Sequence, residues 1–160
     1  MTSGVITDMK SLLIRRIQIV SEYSAAVVFG GVMYGAIETL ARGYTHPSML
    51  VTGGICFAGL YAIEKHSRRG LLIRVIMGAL LITAAEFISG CICNLWLRWD
   101  VWDYSHLHLN LLGQICLRFT ILWALLCIPA YRLAAILRGA FGYVEDQSSS
   151  SASDSPSSLL

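Results

Sequence analysis

The sequence predicts an all-α membrane protein: four transmembrane helices, arranged as two parallel hairpin repeats, preceded by an amphipathic N-terminal helix. The 160 residues are 56% hydrophobic and only 14% charged, whereas soluble domains carry about 25% charged residues. Apolar segments recur with lengths near the roughly 20 residues that cross the hydrocarbon of a bilayer. A loop rich in tryptophan separates the last two segments, and indole rings favour the membrane interface.

Residues 1–20 predict an amphipathic helix. Its apolar residues recur at helical spacing: Ile6, Met9, Leu13, Ile17 and Val20. Lys10, Arg15 and Arg16 lie around the other side, a pattern typical of a helix on an anionic membrane surface. Charges interrupt the apolar run and no small-residue cleavage site follows it, so we expect an anchor and not a cleaved signal peptide.

A transmembrane domain is predicted over residues 21–143. Its apolar segments are 21–41, 48–64, 70–95 and 107–131. Each is close to the length of a membrane-spanning helix, although the second is short. The serine-rich tail, residues 144–160, has too few apolar residues to form a core, and we expect it to be disordered.

Basic residues predict the orientation of the spans. Most of the 12 lysines and arginines precede the first span, lie between the second and third, or follow the fourth. Arg42, Arg98 and Arg118 lie toward the other side. Because cytoplasmic loops are enriched in Lys and Arg, we expect a multi-pass protein of the cell membrane with both termini in the cytoplasm.

An internal duplication is indicated by two similar segments. Residues 44–56 read YTHPSMLVTGGIC and residues 104–116 read YSHLHLNLLGQIC, so Tyr, His, Gly, Ile and Cys recur in register. The helices before them carry Glu38 and Glu86 among small residues at matching steps. The pattern predicts parallel repeats over about 21–64 and 70–131, related by an axis along the membrane normal.

Glu38 and Glu86 are the sharpest candidates for a substrate or ion path, because an acid within hydrocarbon costs several kcal/mol unless it is paired, neutralised or hydrated. Glu38 lies four residues before Arg42, an order that favours an ion pair and a structural anchor. Glu86 and Arg118 lie at comparable predicted depths. We therefore expect them to face each other, either as an ion pair or in a polar cavity.

The outer loop supplies further polar candidates for the path: Asp103, Asn110 and Gln114. Asp103 alternatively caps the fourth helix. Asn110 and Gln114, at i and i+4, are expected to share a face with Glu86 and to line a polar path or join helices.

No metal or cofactor is expected. His106 and His108 lack the i,i+4 spacing of a helical metal site, and loops are often polar simply because they are hydrated. Cys91 and Cys93 point to different helix faces, and the five cysteines fit small apolar packing residues.

Several function classes are not supported. The chain has no GxxxxGK[ST] phosphate loop, no G-x-S-x-G elbow and no H-E-x-x-H helix, so we expect no enzyme. The dispersed basic residues and a net charge of +2 do not indicate nucleic-acid binding. An enzyme using Glu86 and Asp103 as acid and base has no motif behind it.

The segment WDYSHLHLNLLGQIC at 102–116, preceded by EFISGCICNLWL from Glu86, resembles a bacterial membrane family described as putative ABC-transporter type IV, or ABC-transporter permease. RGYTHPSMLVTGGI resembles the family's first loop and second helix, and the likeness covers about residues 27–123. The family pattern has a proline after WDYS, where this chain has Leu107 and His108. The signature positions are Glu86, Trp102, Asp103, Tyr104, Ser105, Asn110, Gly113 and Gln114.

The resemblance implies a small integral membrane component of a transport system, acting in the lipid bilayer as a homo- or hetero-oligomer. A separate cytoplasmic subunit would bind ATP, with the basic loop 65–69 as its contact. Two alternatives remain open at this point: a scaffold or regulatory protein that transports nothing, and a stand-alone, oligomeric, ion-coupled carrier.

Overall fold

The computed structural model describes the backbone of residues 2–153 and the side chains of residues 9–142. Its helices are α1 (Thr2–Arg42), α2 (Pro47–His66), α3 (Leu71–Gly90) and α4 (Leu117–Ser153). A π-helical segment, Cys91–Trp96, continues α3. The short strands β1 (Asn110–Leu111) and β2 (Ile115–Cys116) pair in antiparallel register just before α4.

Within the described residues, four helical segments are long and apolar enough to cross a membrane. They are Met9–Arg42, Pro47–His66, Leu71–Trp96 and Leu117–Gly142. The predicted class, a multi-pass helical membrane protein with four spans, is therefore confirmed. Many large apolar side chains are exposed on these helices, as a lipid environment requires, since lipid tails solvate apolar surface.

The N-terminal segment is not a separate helix. α1 is one continuous helix of 41 residues, which joins the predicted surface helix to the first span without a break at residue 20. At the other end, the α4 backbone continues through Ser153, and residues 154–160 of the predicted disordered tail lie outside the described residues. The amphipathic placement of residues 1–20 and the disorder of the tail stay predictions.

The predicted start of the fourth span at residue 107 is wrong. α4 begins at Leu117, because the chain turns repeatedly before it. Leu109, Leu112 and Gly113 have φ values of 55°, 52° and 69°. Those left-handed conformations are incompatible with a right-handed helix, so an apolar stretch that reads as helix forms a loop and a two-stranded hairpin instead.

Helix α2 lies at the centre and packs against α1, α3 and α4, whereas α1 and α4 touch only marginally. Its contact with α1 depends on glycine. A Cβ on Gly31 would lie 2.7 Å from the Leu50 carbonyl oxygen, and one on Gly54 would lie 2.5 Å from that of Val27. Small residues allow this close approach of helix backbones in lipid. The two hairpins α1–α2 and α3–α4 therefore differ in packing, and their descent from a repeat stays a prediction.

The buried core follows α2 from end to end. At one end Phe57 and Tyr61 pack with Ala26 and Ala134. At the other end, the loop between the π-helical segment and α4 (residues 97–116, the aromatic loop) closes over α2, and buried Met49, Cys93, Val101 and Trp102 form a cluster there. The marginal contact between α1 and α4 leaves a groove beneath this loop.

Candidate functional site

A cavity of about 480 Å³ lies between α1 and α4 under the aromatic loop. Its wall includes charged and titratable groups from both helices and the loop: Glu38, Arg42, Asp103, His106 and Arg118. Aromatic rings make up much of the remaining wall: Tyr34, Trp102, Tyr104, Phe119 and Trp123. A charged end bounded by aromatic rings is a setting in which a polar headgroup or an ion can bind.

Glu38 is held by its own helix and by the loop after it. Its side chain is buried, and Arg42 Nη1 donates to Oε1 at 2.8 Å. Thr45 Oγ1 donates to the other carboxylate oxygen. Arg42 also donates to the Val101 carbonyl at 2.8 Å and to the Tyr44 hydroxyl. The predicted pair of Glu38 and Arg42 is confirmed, and it ties the end of α1 to the loop that follows it and to the aromatic loop.

Glu86 is held by two neutral donors. It is only 4% exposed. The Tyr104 hydroxyl donates to Oε1 at 3.1 Å, and Trp123 Nε1 donates to Oε2 at 2.8 Å. Within the described part of the chain no cation pairs with it. Burial without a counter-ion makes an ionised Glu86 costly, more so than Glu38, which is paired with Arg42.

The predicted ion pair of Glu86 and Arg118 is wrong. Because α4 begins at Leu117, Arg118 lies in its first turn and not deep in the span. It lines the cavity together with Glu38 and Asp103, and its side chain is exposed. It makes no hydrogen bond or ion pair with any residue whose side chain the structure describes.

Asp103 shapes the loop and does not cap α4, so the predicted cap is wrong. The backbone N–H of Ser105 donates to Oδ1 and its hydroxyl donates to Oδ2, each at 2.8 Å. These bonds, the backbone one foremost, lower the pKa of Asp103 because they favour the charged form. Asp103 therefore enters the cavity wall as an anion whose oxygens already accept two hydrogen bonds.

Asn110 and Gln114 also hold the loop, and neither is among the hydrogen-bond partners of Glu86 in the described part of the chain. Asn110 Nδ2 donates to the Leu107 carbonyl at 2.7 Å, and its Oδ1 accepts from Gly113 N at 3.1 Å. Gln114 Nε2 donates to the Leu112 carbonyl at 2.9 Å. Since the two residues belong to a hairpin, their predicted i,i+4 relationship on a helix is wrong.

Asn94, which sequence reasoning missed, connects the π-helical segment to the loop. Its Nδ2 donates to the Trp102 carbonyl at 2.9 Å and to Gln114 Oε1 at 2.8 Å. Its Oδ1 accepts from Val101 N at 2.8 Å. The sequence feature that could have identified Asn94 is a side-chain amide at the end of the third apolar segment. π-Helical turns often mark functional positions, and this one aims a buried amide at the loop.

Tyr104, a signature residue, joins the loop to the buried acid. Its ring stacks on Phe119 with centroids 4.6 Å apart, and its hydroxyl reaches Glu86. Burial, and next the nearby carboxylate of Glu86, raise the pKa of Tyr104. The phenol therefore stays protonated and acts as a hydrogen-bond donor.

A second cavity, of about 270 Å³, adjoins the first. Four residues line both of them: Tyr34, Ile37, Trp123 and Leu126. Its wall is mainly apolar, and Glu86 is its acidic member. Sequence reasoning missed Tyr34 and Trp123, because aromatic residues in apolar helices look like ordinary packing residues.

A third buried acid, Glu22, lies at the opposite end of the bundle and was also missed. Lys65 Nζ donates to it at 2.5 Å, and the Tyr61 hydroxyl donates to its other oxygen. An acid within the first apolar segment was the sequence signal that could have identified Glu22.

The two loop histidines lie in different places. His106 lines the first cavity while His108 does not, and no cluster of three metal-ligating side chains occurs within the described residues.

A family model described as putative ABC-transporter type IV matches residues 31–148. The match includes α2, α3, the aromatic loop and the membrane-spanning part of α4. No curated protein and no solved structure matches the chain. Because the family model covers most of the chain, including the residues that line the cavity together with Glu38 and Glu86, the protein belongs to the family described as putative ABC-transporter type IV.

Proposed function

We propose that this protein is a permease-like membrane subunit of a transport system, and that the groove between α1 and α4 is its substrate path. One observation carries the proposal: a chain of an ABC-transporter family buries Glu38 and Glu86 beside cavities that separate two membrane-spanning helices. Acids at such depth are costly and are typical of substrate or ion pathways. Arg118 and Asp103 complete the charged end of the path.

ATP, if it drives transport, is bound by a separate cytoplasmic subunit, because the sequence contains no phosphate-binding loop. The turn between α2 and α3 is the proposed contact. Arg68 and Arg69 are exposed there. Lys65, by contrast, already binds buried Glu22, so it stabilises the bundle and is a poor candidate for docking.

The test is affinity purification of the full chain from its native membranes in mild detergent, followed by mass spectrometry. We expect stoichiometric recovery of an ATP-binding subunit. The double variant Arg68→Ala/Arg69→Ala should lose that subunit while the membrane protein itself is recovered in the same yield. Arg98→Ala is the matched control, because Arg98 is an exposed arginine at the opposite end of the spans.

A second function is favoured by the environment of Glu86, which has neutral donors and no cation: an ion-coupled carrier that works as an oligomer of this chain alone. Recovery of a defined homo-oligomer without an ATP-binding subunit would support it over the permease. Proton-dependent uptake into proteoliposomes, abolished by Glu86→Gln, would then support the carrier. A scaffold would show no such uptake, because Glu38 and Glu86 would serve only packing in it.

A further inference from the structure

We propose that the groove between α1 and α4 binds a single-chain amphiphile with an anionic headgroup, taken from the surrounding membrane leaflet. Arg118 would hold the carboxylate or phosphate of the headgroup, and the apolar part of the groove would hold the chain. The inference rests on the proposed function and deepens it, because it names the class of compound that the path would carry.

The charged hydrogen-bonding groups that remain free at the outer end of the groove favour an anion. Glu38 is neutralised by Arg42 and accepts a second bond from Thr45. Asp103 is occupied by both donors of Ser105. Arg118 is the one charged residue of the wall that has no partner within the described part of the chain. The formal charges of Glu38, Arg42, Asp103 and Arg118 cancel, but Arg118 is the one whose charged donors have no partner among the described residues, so an anion is the ligand that the wall can bind.

The chemistry of Arg118 limits which class of headgroup can bind. A guanidinium presents a planar fork of N–H donors that matches the paired oxygens of a carboxylate or phosphate. Arg118 lies in the first turn of α4, where the helix dipole adds positive potential. The exposed side chain is at the level of the aromatic loop, where headgroups of a bilayer are expected.

The rest of the groove favours an acyl chain. The outer cavity continues into the second one past Ile37 and Leu126, which line both. The second cavity is lined mainly by apolar side chains, including Met33 and Leu133. An acyl chain that moves here from the leaflet stays among apolar side chains, so no hydrocarbon is exposed to water while its charged end stays beside Arg118.

The groove also opens toward lipid. Ile37 on α1 and Leu122 on α4 line its outer cavity, yet their side chains are 46% and 42% exposed. Both belong to membrane-spanning segments, so these exposed surfaces face hydrocarbon. An amphiphile lying in the leaflet, with its head at the interface and its chain along the helices, can therefore enter sideways without leaving the membrane.

The test uses the full chain in nanodiscs of phosphatidylcholine. The probe is palmitic acid brominated on its chain, because bromine quenches tryptophan fluorescence and Trp102 and Trp123 line the groove. We expect saturable quenching that unlabelled palmitate or lysophosphatidate reverses. Acetate and inorganic phosphate, which have a head without a chain, should not compete. Neither should hexadecyltrimethylammonium, which has the chain and the opposite charge.

Matched variants test the contact with the headgroup and the contact with the acyl chain separately. Arg118→Gln should weaken palmitate binding about tenfold or more, the usual effect of removing one charge-assisted contact, and Arg118→Lys should retain part of it. Arg132→Gln, an exposed arginine of α4 outside both cavities, is the control. Ile37→Trp should fill the groove and abolish saturable binding, whereas Leu40→Trp, at an 89% exposed position of the same helix, should not.

The inference is overturned if Arg118→Gln binds palmitate as the parent does, if the cationic amphiphile competes equally, or if quenching never saturates. Circular dichroism and gel filtration of each variant show that it is folded before binding is compared. Recovery of an ATP-binding subunit is measured separately. Absent amphiphile binding with that subunit present would refute this inference alone, and the reverse result would refute the permease alone.

Discussion

Trp123 on α4 donates its indole N–H to the Glu86 carboxylate on α3 at 2.8 Å, deep between the two helices. With the bond from the Tyr104 hydroxyl, each oxygen of Glu86 accepts one hydrogen bond: Oε2 from Trp123 and Oε1 from Tyr104. Three parts of the chain therefore meet at one acid: the third span, the fourth span and the aromatic loop. Whatever changes the charge of Glu86 changes a contact in each of them.

Glu86→Gln should fold normally and still lose function. The glutamine oxygen can accept from Trp123, and its NH₂ can donate to the Tyr104 hydroxyl, which accepts as readily as it donates. Glu86→Leu, in contrast, leaves two buried donors unsatisfied and should destabilise the bundle by about 1–3 kcal/mol for each. Thermal unfolding in detergent should place Glu86→Gln near the parent and Glu86→Leu well below it.

The contrary result is equally informative. If Glu86→Gln transports as well as the parent in proteoliposomes, then ionisation of this acid has no part in transport, and its role is to join helices. Trp123→Phe supplies the matched control for packing, because it removes the indole donor and retains an aromatic ring in the same cavity wall.

Asn94→Asp should loosen the aromatic loop although the two side chains have nearly the same shape. Aspartate lacks the NH₂ that donates to the Trp102 carbonyl and to Gln114, so oxygens would face oxygens in a buried site. We expect the free energy of unfolding to fall by about 2 kcal/mol or more because of the unsatisfied acceptors. Limited proteolysis should cut the loop of Asn94→Asp first and the loop of the control His108→Asn, an exposed position, at the parent's rate. Equal cutting of all three proteins would contradict this role for Asn94.

The spans and the ion pair of Glu38 and Arg42 follow from local sequence, because apolar length and i,i+4 spacing are properties of one helix. The partners of Glu86 do not follow from it. Tyr104 and Trp123 lie 18 and 37 residues away along the chain, and nothing local relates them to the acid. Long-range side-chain pairs depend on how the loop folds back.

The start of α4 is the other feature that the sequence did not predict, and the reason is physical. Residues 107–116 are apolar enough to read as the first turns of a span, but Leu109 and Leu112 adopt positive φ. Hydropathy cannot detect such a turn, because it depends on Asp103 and Asn110 binding backbone N–H groups of the loop. This displacement of the helix start is also why Arg118 lies at the groove mouth and not beside Glu86.

Gly31→Ala should weaken the packing of α1 on α2. The added Cβ would lie 2.7 Å from the Leu50 carbonyl oxygen, a backbone atom that cannot move aside without shifting the helix. We expect a destabilisation of about 1–3 kcal/mol, the usual range for overpacking. Gly139→Ala is the matched control, because nothing lies within 4 Å of the Cβ it would add, and helix propensity should make it neutral or stabilising by up to about 1 kcal/mol. Thermal unfolding of both variants in the same detergent measures the difference, and similar loss in both would show that close approach at Gly31 is unimportant.

The aromatic loop should loosen in acid through Asp103. The donors of Ser105 lower the pKa of Asp103 in the folded loop, so the folded protein favours the ionised form more than the unfolded chain does. The stabilisation is therefore present in full above the ordinary aspartate pKa and is lost as the pH falls through the lowered value. Tryptophan fluorescence of the loop, recorded while the pH is lowered, should change over this acidic window and return on neutralisation. Ser105→Ala removes one donor and should move the change to higher pH, whereas Asp100→Asn, an exposed acid of the same loop, should leave it in place. A transition unmoved by Ser105→Ala would mean that another group controls the loop in acid.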